Sequence, residues 1–164
     1  MTATVDHVER ADGVLPPLQE LLRRFFHEGE GEWEVPLEGG YRFGPIDEAR
    51  QEELFRTGQS KAKTLKQTPH GRRCGLDLRP KGFNPHRGFA HPSNAGMLEM
   101  FKLWGAHVRK HGPELDIRWG GDFKNFGPHG DMPHAELIDW PKRAFPSGEL
   151  VLSVVPSNPT GATK

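Results

Sequence analysis

The sequence predicts a single α+β domain built from short elements. The chain of 164 residues has the usual size of one domain and is long enough to bury a hydrophobic core. Only 34% of its residues are hydrophobic, and it contains 20 glycines and 15 prolines, a composition typical of a loop-rich fold. The domain is predicted to span residues 1–155 and to open with a helical segment, and residues 156–164 are predicted to form a flexible tail.

Three segments are predicted to be helices, because their apolar residues recur at helical spacing: LPPLQELLRRFF (15–26), GPIDEARQEELFRTG (44–58) and SNAGMLEMFKLWGAHVRKHG (93–112). The second is expected to begin after Pro45 and to end at Gly58. The third is the clearest, with Ser93 as its N-cap and Gly112 as its stop.

Four segments have the character of short strands: CGLDLRP (74–80), the start of LDIRWGG (115–121), HAELI (134–138) and ELVLSVV (149–155). In the first, Leu76 and Leu78 are expected to face one side and Asp77 the other, since side chains alternate along a strand. By the same rule His134 and Glu136 share one face of their strand. A carboxylate inside an apolar strand, such as that of Asp77, needs a cation or a hydrogen-bond donor to face it.

Charge and composition exclude several classes of protein. The chain has 22 basic and 22 acidic residues, but residues 41–124 carry 16 basic and 9 acidic ones, so the central part could attract anions. These basic residues are scattered and the chain has one tyrosine, so we expect no nucleic-acid binding. No apolar run approaches the roughly 20 residues that cross a bilayer, so we expect no membrane insertion. The acidic start MTATVDHVERADG has no apolar core, which predicts synthesis in the cytoplasm without a signal peptide.

The segment TPHGRRCGLDLRP (68–80) places His70 seven residues before Asp77. If both meet His134, two imidazole nitrogens and one carboxylate oxygen form a zinc site that leaves its fourth position to water, as catalytic sites do. Asp131, three residues before His134, is a carboxylate that could take a proton from that water. The alternative is a polar loop that ends in a hydrogen-bonded strand aspartate.

The order of five segments resembles a known family of zinc peptidases: GYR, RQEELFRTGQSK, TPHGRRCGLDLRP, WGGDFK and DMPHAEL. The family includes D-alanyl-D-alanine carboxypeptidases, vancomycin-resistance dipeptidases and phage L-alanyl-D-glutamate endopeptidases, and the resemblance is greatest to the phage endolysin branch. It covers about residues 40–138. It implies a small antiparallel sheet with flanking helices, as in hedgehog domains and D-Ala-D-Ala peptidases, with one Zn²⁺ in a cleft on the sheet and peptidoglycan stem peptides as substrate.

The resemblance also implies roles for individual residues. It makes His70, Asp77 and His134 the zinc ligands, Asp131 the catalytic carboxylate, and Arg42 the group that steadies the scissile carbonyl oxygen. Glu136 is the alternative general base, or else a partner that orients an imidazole. Asp122 and Trp119 are expected to shape the cleft, as is the loop of Thr68.

The sequence departs from the family pattern at a few positions. Thr68 replaces a serine, Arg73 a glycine and Gly75 another small residue, and Ala135 replaces a phenylalanine and is expected to widen the cleft.

The remaining cysteine and histidine residues have simpler interpretations. Cys74, the one cysteine, excludes an internal disulfide and a cysteine-based zinc finger, and it is expected to be inert packing rather than a nucleophile. His129 is a competing ligand, and four further histidines are expected to be solvated or capping: His86, His91, His107 and His111.

The sequence therefore predicts a zinc-dependent peptidoglycan peptidase, with the L-alanyl-D-glutamate bond as the first candidate. A D-alanyl-D-alanine carboxypeptidase is the alternative in the same class. A non-catalytic zinc-binding module that recognises the wall is the alternative in another class, and a structural component of a phage particle is a third. The resemblance implies that the protein reaches the cell wall after release by a phage hole-forming partner, or that a phage particle carries it.

Overall fold

The computed structural model describes residues 2–143, which form an α+β fold with three α-helices and two small sheets. The helices are α1 (Pro16–Glu28), α2 (Gly44–Arg56) and α3 (Met97–Leu115). The strands are β1 (Thr4–Asp6), β2 (Glu32–Glu34), β3 (Gly75–Asp77), β4 (Arg79–Pro80), β5 (Ile117–Trp119) and β6 (His134–Leu137). The strand predicted at 149–155 and the tail predicted at 156–164 lie outside the described residues.

The two sheets have three strands each and differ in their pairing. In the first sheet, with the order β1-β2-β4, β1 is parallel to β2 and β4 is antiparallel to it. In the second sheet, with the order β3-β6-β5, the central strand β6 is antiparallel to both neighbours. The second sheet agrees with the small antiparallel sheet that the family resemblance implied, and the first, mixed sheet is an addition to it.

The prediction of one strand over CGLDLRP is wrong, because the chain changes sheets within it. Residues Gly75–Asp77 pair with β6, and Arg79–Pro80 pair with β2. Between them, Leu78 donates its backbone N–H to the carbonyl of Pro133 at 3.0 Å and buries its side chain completely. Asp77 is therefore the last residue of the second sheet before the chain enters the first, and its half-buried side chain lies at this junction.

The hydrophobic core lies between helices α1 and α3 and one face of the second sheet. Phe25 of α1 is at its centre, with its ring edge-on to Trp33 at 5.1 Å and to Trp104 at 5.2 Å between centroids. Burial of each such side chain contributes roughly 1.5 to 3 kcal/mol. None of the helices within residues 2–143 combines the length and the apolar character required to cross a membrane.

Helix α3 differs at both ends from the prediction. It begins at Met97 after Gly96, whose φ is 78°, while Ser93 lies in a separate 3-10 turn. It continues through Gly112 and ends at Leu115. Gly112 does not stop the helix; it permits a close approach, since a Cβ there would lie 2.3 Å from the carbonyl oxygen of Ile117.

Helix α2 begins slightly earlier than predicted. Its first residue is Gly44, so that Pro45 stands inside the first turn, where a missing backbone N–H costs nothing. The helix ends at Arg56, and Gly58, with φ of 75°, follows it. The helix exposes most of its surface but buries Gln51, which takes part in the site described below.

Candidate metal centre

The second sheet carries four charged or ionisable side chains on one face. Asp77 of β3 lies directly opposite His134 of β6, and Arg118 of β5 lies opposite Glu136 of β6. Because side chains alternate along a strand, these four residues share a face. The other face turns Leu76, Ala135 and Trp119 into the core.

The expectation that Ala135 widens the cleft is therefore wrong. Ala135 follows His134 in the same strand and so points to the opposite face, where it is completely buried in the core. Its side chain packs beneath the sheet and does not lie on the face that carries His134.

The three side chains predicted to bind zinc come together on the polar face. The Nε2 of His70 is 3.3 Å from Oδ1 of Asp77, and the Nδ1 of His134 is 2.8 Å from the same oxygen. One ligand atom from each residue lies within 4.8 Å of those of the other two. The loop before β3 supplies His70, the end of β3 supplies Asp77, and the start of β6 supplies His134.

Hydrogen bonds on the far sides of the two imidazoles determine which nitrogen faces Asp77. The Nδ1 of His70 is 2.9 Å from the carbonyl oxygen of Gly40, which only accepts, so Nδ1 carries a hydrogen and Nε2 is left with its lone pair. The Nε2 of His134 donates in the same way to Oε2 of Glu136 at 3.0 Å, which leaves Nδ1 as the ligand atom. Both imidazoles thus present to Asp77 the nitrogen that a metal would use.

The charges of the site favour a cation between these side chains. Burial alone lowers the pKa of His134, but hydrogen bonds with Asp77 and Glu136 outweigh it and raise that pKa to about 10. Burial raises the pKa of Asp77, and the charges and hydrogen bonds of His70 and His134 outweigh it and bring this pKa well below its ordinary range. In the metal-free protein Nδ1 of His134 thus carries a proton that Asp77 accepts, and a divalent metal would replace this proton in the same donor set.

Asp131 lies beside the three residues on the loop before β6. Its pKa is raised, first by burial and then by the negative charge of Asp77. Its backbone N–H donates to the carbonyl of Gly120 at 2.8 Å, and its carbonyl accepts from the N–H of His134 at 3.1 Å. A Cβ on Gly120 would lie 2.3 Å from the carbonyl oxygen of Asp131, so the first glycine of WGGD lets this loop approach β5.

Glu136 is a buried carboxylate with both oxygens engaged. Oε2 accepts from His134, and Oε1 accepts from Nε and Nη2 of Arg118 at 2.8 Å and 2.5 Å. Burial raises the pKa of Glu136, but the hydrogen bonds and charges of His134 and Arg118 outweigh it and bring this pKa below its ordinary value. These contacts suit a residue that orients an imidazole, the second of the two roles considered for it.

Arg42 is buried next to the loop of His70. Its backbone N–H donates to the carbonyl of His70 at 3.3 Å. Its Nη1 donates to Oε1 of Gln51 at 2.8 Å, and its Nη2 lies 3.4 Å from the carbonyl oxygen of Asp47. Within residues 2–143 its Nε is a buried nitrogen without a hydrogen-bond partner. The guanidinium is thus anchored by α2 on two nitrogens, and its third nitrogen is enclosed by the protein.

The other residues predicted near the cleft have supporting contacts and lie outside the three-residue group. Thr68 is buried, and its hydroxyl accepts from the N–H of Gly71 at 2.9 Å, which shapes the loop that carries His70. Trp119 is buried and donates from Nε1 to the carbonyl of Met132 at 2.8 Å. Asp122 is exposed and forms an ion pair with Arg109.

Two residues with contacts in the site were not assigned a role from the sequence. Gln51 anchors Arg42, and Arg118 anchors Glu136. A signal for Arg118 was present, since it is the polar residue between two apolar ones in the strand Ile117–Trp119. Its opposition to Glu136 depends on the register of β5 and β6, which local sequence does not define.

The N-terminal segment supports the backbone around the site. A Cβ on Gly40 would lie 1.7 Å from the carbonyl oxygen of Arg10, so this glycine packs directly on the N-terminal backbone. On the loop of His70, Arg73 accepts from the N–H of Leu15 at 2.8 Å and donates from Nε to the carbonyl of Gly13 at 2.5 Å. The carbonyl that orients His70 is therefore backed by residues far away in sequence.

A second group within residues 2–143 has the composition of a metal site, formed by Glu28, His107 and His111. Its histidines were expected to be solvated or capping, and this is wrong, because both are buried between α1 and α3. Arg24 donates to Nδ1 of His111 at 3.0 Å, so the Nε2 of this ring carries the hydrogen that Glu28 accepts at 2.7 Å.

Two positively charged side chains lie next to this second group. Lys110 also contacts Glu28, at 2.7 Å, and Arg24 lies on the other side of His111. A metal ion there would meet two positive charges, so we interpret the group as an ion-paired contact between helices. Burial lowers the pKa of His107 to about 4, and its Nε2 lies 3.0 Å from the carbonyl of Leu21.

Cys74 has the features of a packing residue. It is completely buried, and burial raises the pKa of its thiol to about 11. A thiol with this pKa is protonated at neutral pH, which argues against a cysteine nucleophile.

Comparison with known proteins provides a match at the level of the fold. No protein-family model matches the chain, and no curated protein matches its sequence. Among solved structures, the fold is similar to that of the L-Ala D-Glu endopeptidase ChiX from Serratia marcescens, with a TM-score of 0.56 and 20% sequence identity. The similarity covers 80% of this chain and 86% of that one. The chain thus shares its α+β fold with this solved structure.

Proposed function

We propose that this protein is a zinc-dependent peptidoglycan peptidase that cleaves the bond between L-alanine and D-glutamate in the stem peptide. The observation that carries the proposal is the convergence of His70, Asp77 and His134, each held by its own partners, with Asp131 beside them. The fold shared with an L-Ala D-Glu endopeptidase supports the choice of bond.

The donor atoms suit zinc. His70 would bind through Nε2, Asp77 through a carboxylate oxygen and His134 through Nδ1, a set of three that leaves a position free, as in catalytic zinc sites. When bound, zinc polarises a carbonyl and lowers the pKa of a coordinated water.

The protein's own residues then carry the proton and the charge. Asp131 accepts a proton from the attacking water as the water oxygen bonds to the carbonyl carbon, and it returns the proton to the leaving amine as the C–N bond breaks. In the metal-free protein its pKa is raised, chiefly by burial, which favours its acting as a base. Arg42 would donate to the carbonyl oxygen as negative charge develops there, and its position beside the loop of His70 supports this role.

Digestion of purified peptidoglycan by the zinc-loaded protein, with the fragments identified by mass spectrometry, tests the proposal. We expect stem peptides that begin with D-glutamate, and we expect none from the Asp131→Asn variant. Release of D-alanine alone would indicate a carboxypeptidase. Absence of any cleavage by a zinc-loaded sample would indicate a binding module.

A further inference from the structure

Arg118 adds a positive charge at the end of the polar row on the second sheet. Its guanidinium stacks on the ring of Phe123 at 4.9 Å, and that ring lies 6.2 Å from the ring of His134. Its Nε and Nη2 both donate to a single oxygen of Glu136. Arg118 is therefore held against the metal centre through two neighbours of His134.

The rest of this guanidinium is available to a ligand. Half of the Arg118 side chain is exposed, whereas 4% of the Glu136 side chain is. Its Nη1 has no hydrogen bond to any of residues 2–143. Stacking and the ion pair thus hold the planar group in place, while one of its NH₂ groups remains free for a further acceptor.

The proposed substrate has an acceptor of the right kind. A glutamyl residue has two carboxyl groups, and the peptide chain continues through one of them, so the other is a free carboxylate close to the scissile bond. The carboxylates of Asp77, Asp131 and Glu136 would repel such an anion, and a cation at the same face would offset this repulsion.

We propose that Arg118 binds the free carboxylate of the D-glutamyl residue and so selects glutamate over its amidated form. The inference rests on the proposed function and specifies how that site recognises its substrate. The Nη1 of Arg118 would donate a charge-assisted hydrogen bond to the carboxylate, and a carboxamide in its place would bring no negative charge.

The test uses two synthetic stem peptides that differ in one group, the glutamyl carboxylate or the corresponding carboxamide. We compare kcat/KM for both peptides in the zinc-loaded wild type, in Arg118→Met and in Arg109→Met. Arg109 is a matched control, because it also pairs with a carboxylate, that of Asp122, and also stacks on a ring, that of Trp119 at 4.9 Å.

We expect the wild type and the Arg109→Met variant to prefer the carboxylate peptide about tenfold, and the Arg118→Met variant to cleave the two peptides at nearly equal rates. An equal loss of activity on both peptides in Arg118→Met would mean that Arg118 only supports Glu136, and it would overturn the inference. A wild type that cleaves both peptides without preference would do the same. Cleavage of neither peptide by the zinc-loaded wild type would refute the proposed function itself.

Discussion

Replacing Glu136 by glutamine tests whether Glu136 determines the nitrogen that His134 would offer to zinc. Glu136 accepts hydrogen bonds from two sides, from His134 on Oε2 and from Arg118 on Oε1. Glutamine has one acceptor oxygen and one NH₂ group, which only donates. In the Glu136→Gln variant, either His134 or Arg118 must face that NH₂ group.

The size of the effect on zinc affinity depends on which of the two partners keeps its hydrogen bond to the glutamine oxygen. Arg118 offers two donors and a positive charge, at 2.8 Å and 2.5 Å, so we expect it to capture the oxygen. The NH₂ group would then face Nε2 of His134, and the imidazole would move its hydrogen to Nδ1, the nitrogen offered to the metal. To bind zinc through Nδ1 the imidazole must return this hydrogen to Nε2, where it faces the NH₂ group and finds no acceptor. A buried donor left without its acceptor costs about 1 to 3 kcal/mol. We therefore expect the zinc Kd to rise about 10- to 100-fold, at roughly 1.4 kcal/mol for each factor of ten.

Competition with a chromophoric chelator measures the zinc Kd directly. A second variant sharpens the test, because Arg118→Met in the Glu136→Gln background removes the competing donors and lets the glutamine oxygen turn to His134. We expect this double variant to regain about tenfold in affinity over Glu136→Gln alone. An unchanged Kd in Glu136→Gln, or no recovery in the double variant, would refute the assignment of hydrogens to the two nitrogens of His134.

Three further expectations concern the base, the arginine and acid stability. Asp131→Asn should keep zinc, measured by metal analysis, but lose about 10²- to 10⁴-fold in kcat, since an amide accepts no proton at neutral pH; full activity in this variant would exclude Asp131 as the base. Arg42→Ala should lower kcat about 10²- to 10³-fold while zinc content stays at one per chain, and a change in KM alone would contradict its role at the carbonyl oxygen. In metal-free protein, the free energy of unfolding should fall by about 3 kcal/mol as the pH drops from about 6.5 to about 4, because burial lowers the pKa of His107 to about 4 and the unfolded chain takes up the proton first. His134 does not add to this fall. Its pKa is raised in the folded protein, so its contribution to the free energy of unfolding is already complete below pH 6.5. Urea unfolding at a series of pH values measures this, and the matched variant His107→Gln should give a flatter profile.

Local sequence predicted which segments form helices better than it predicted the residues at which those helices begin and end. The spacing of apolar residues identified α1, α2 and α3, because that spacing directly reflects which face is buried. The end of α3 was misplaced, because a glycine that stops a helix and a glycine that permits close packing look alike in sequence. Gly112 has the second function, and only the position of Ile117 shows it.

In the candidate site, too, local sequence predicted some residues and not others. The three predicted zinc ligands meet in the structure, and the alternation along β6 placed His134 and Glu136 on one face in advance. The positions of Arg118 and Gln51 depend on strand register and on how α2 packs, and both are tertiary properties. Ala135 was misjudged because its effect was inferred from a motif without the alternation that turns it into the core.

The contact between Gly40 and Arg10 limits how much of the chain can be removed without losing the proposed metal centre. The motifs occupy about residues 40–138, and a protein trimmed to that span would retain every proposed ligand. It would also lose β1, α1 and the backbone against which Gly40 packs, so that the carbonyl facing His70 would no longer be held in place. We expect such a trimmed protein to release zinc at chelator concentrations that the whole chain withstands. Transplanting this centre onto another scaffold would therefore require copying the N-terminal backbone that supports Gly40 as well as the ligands themselves.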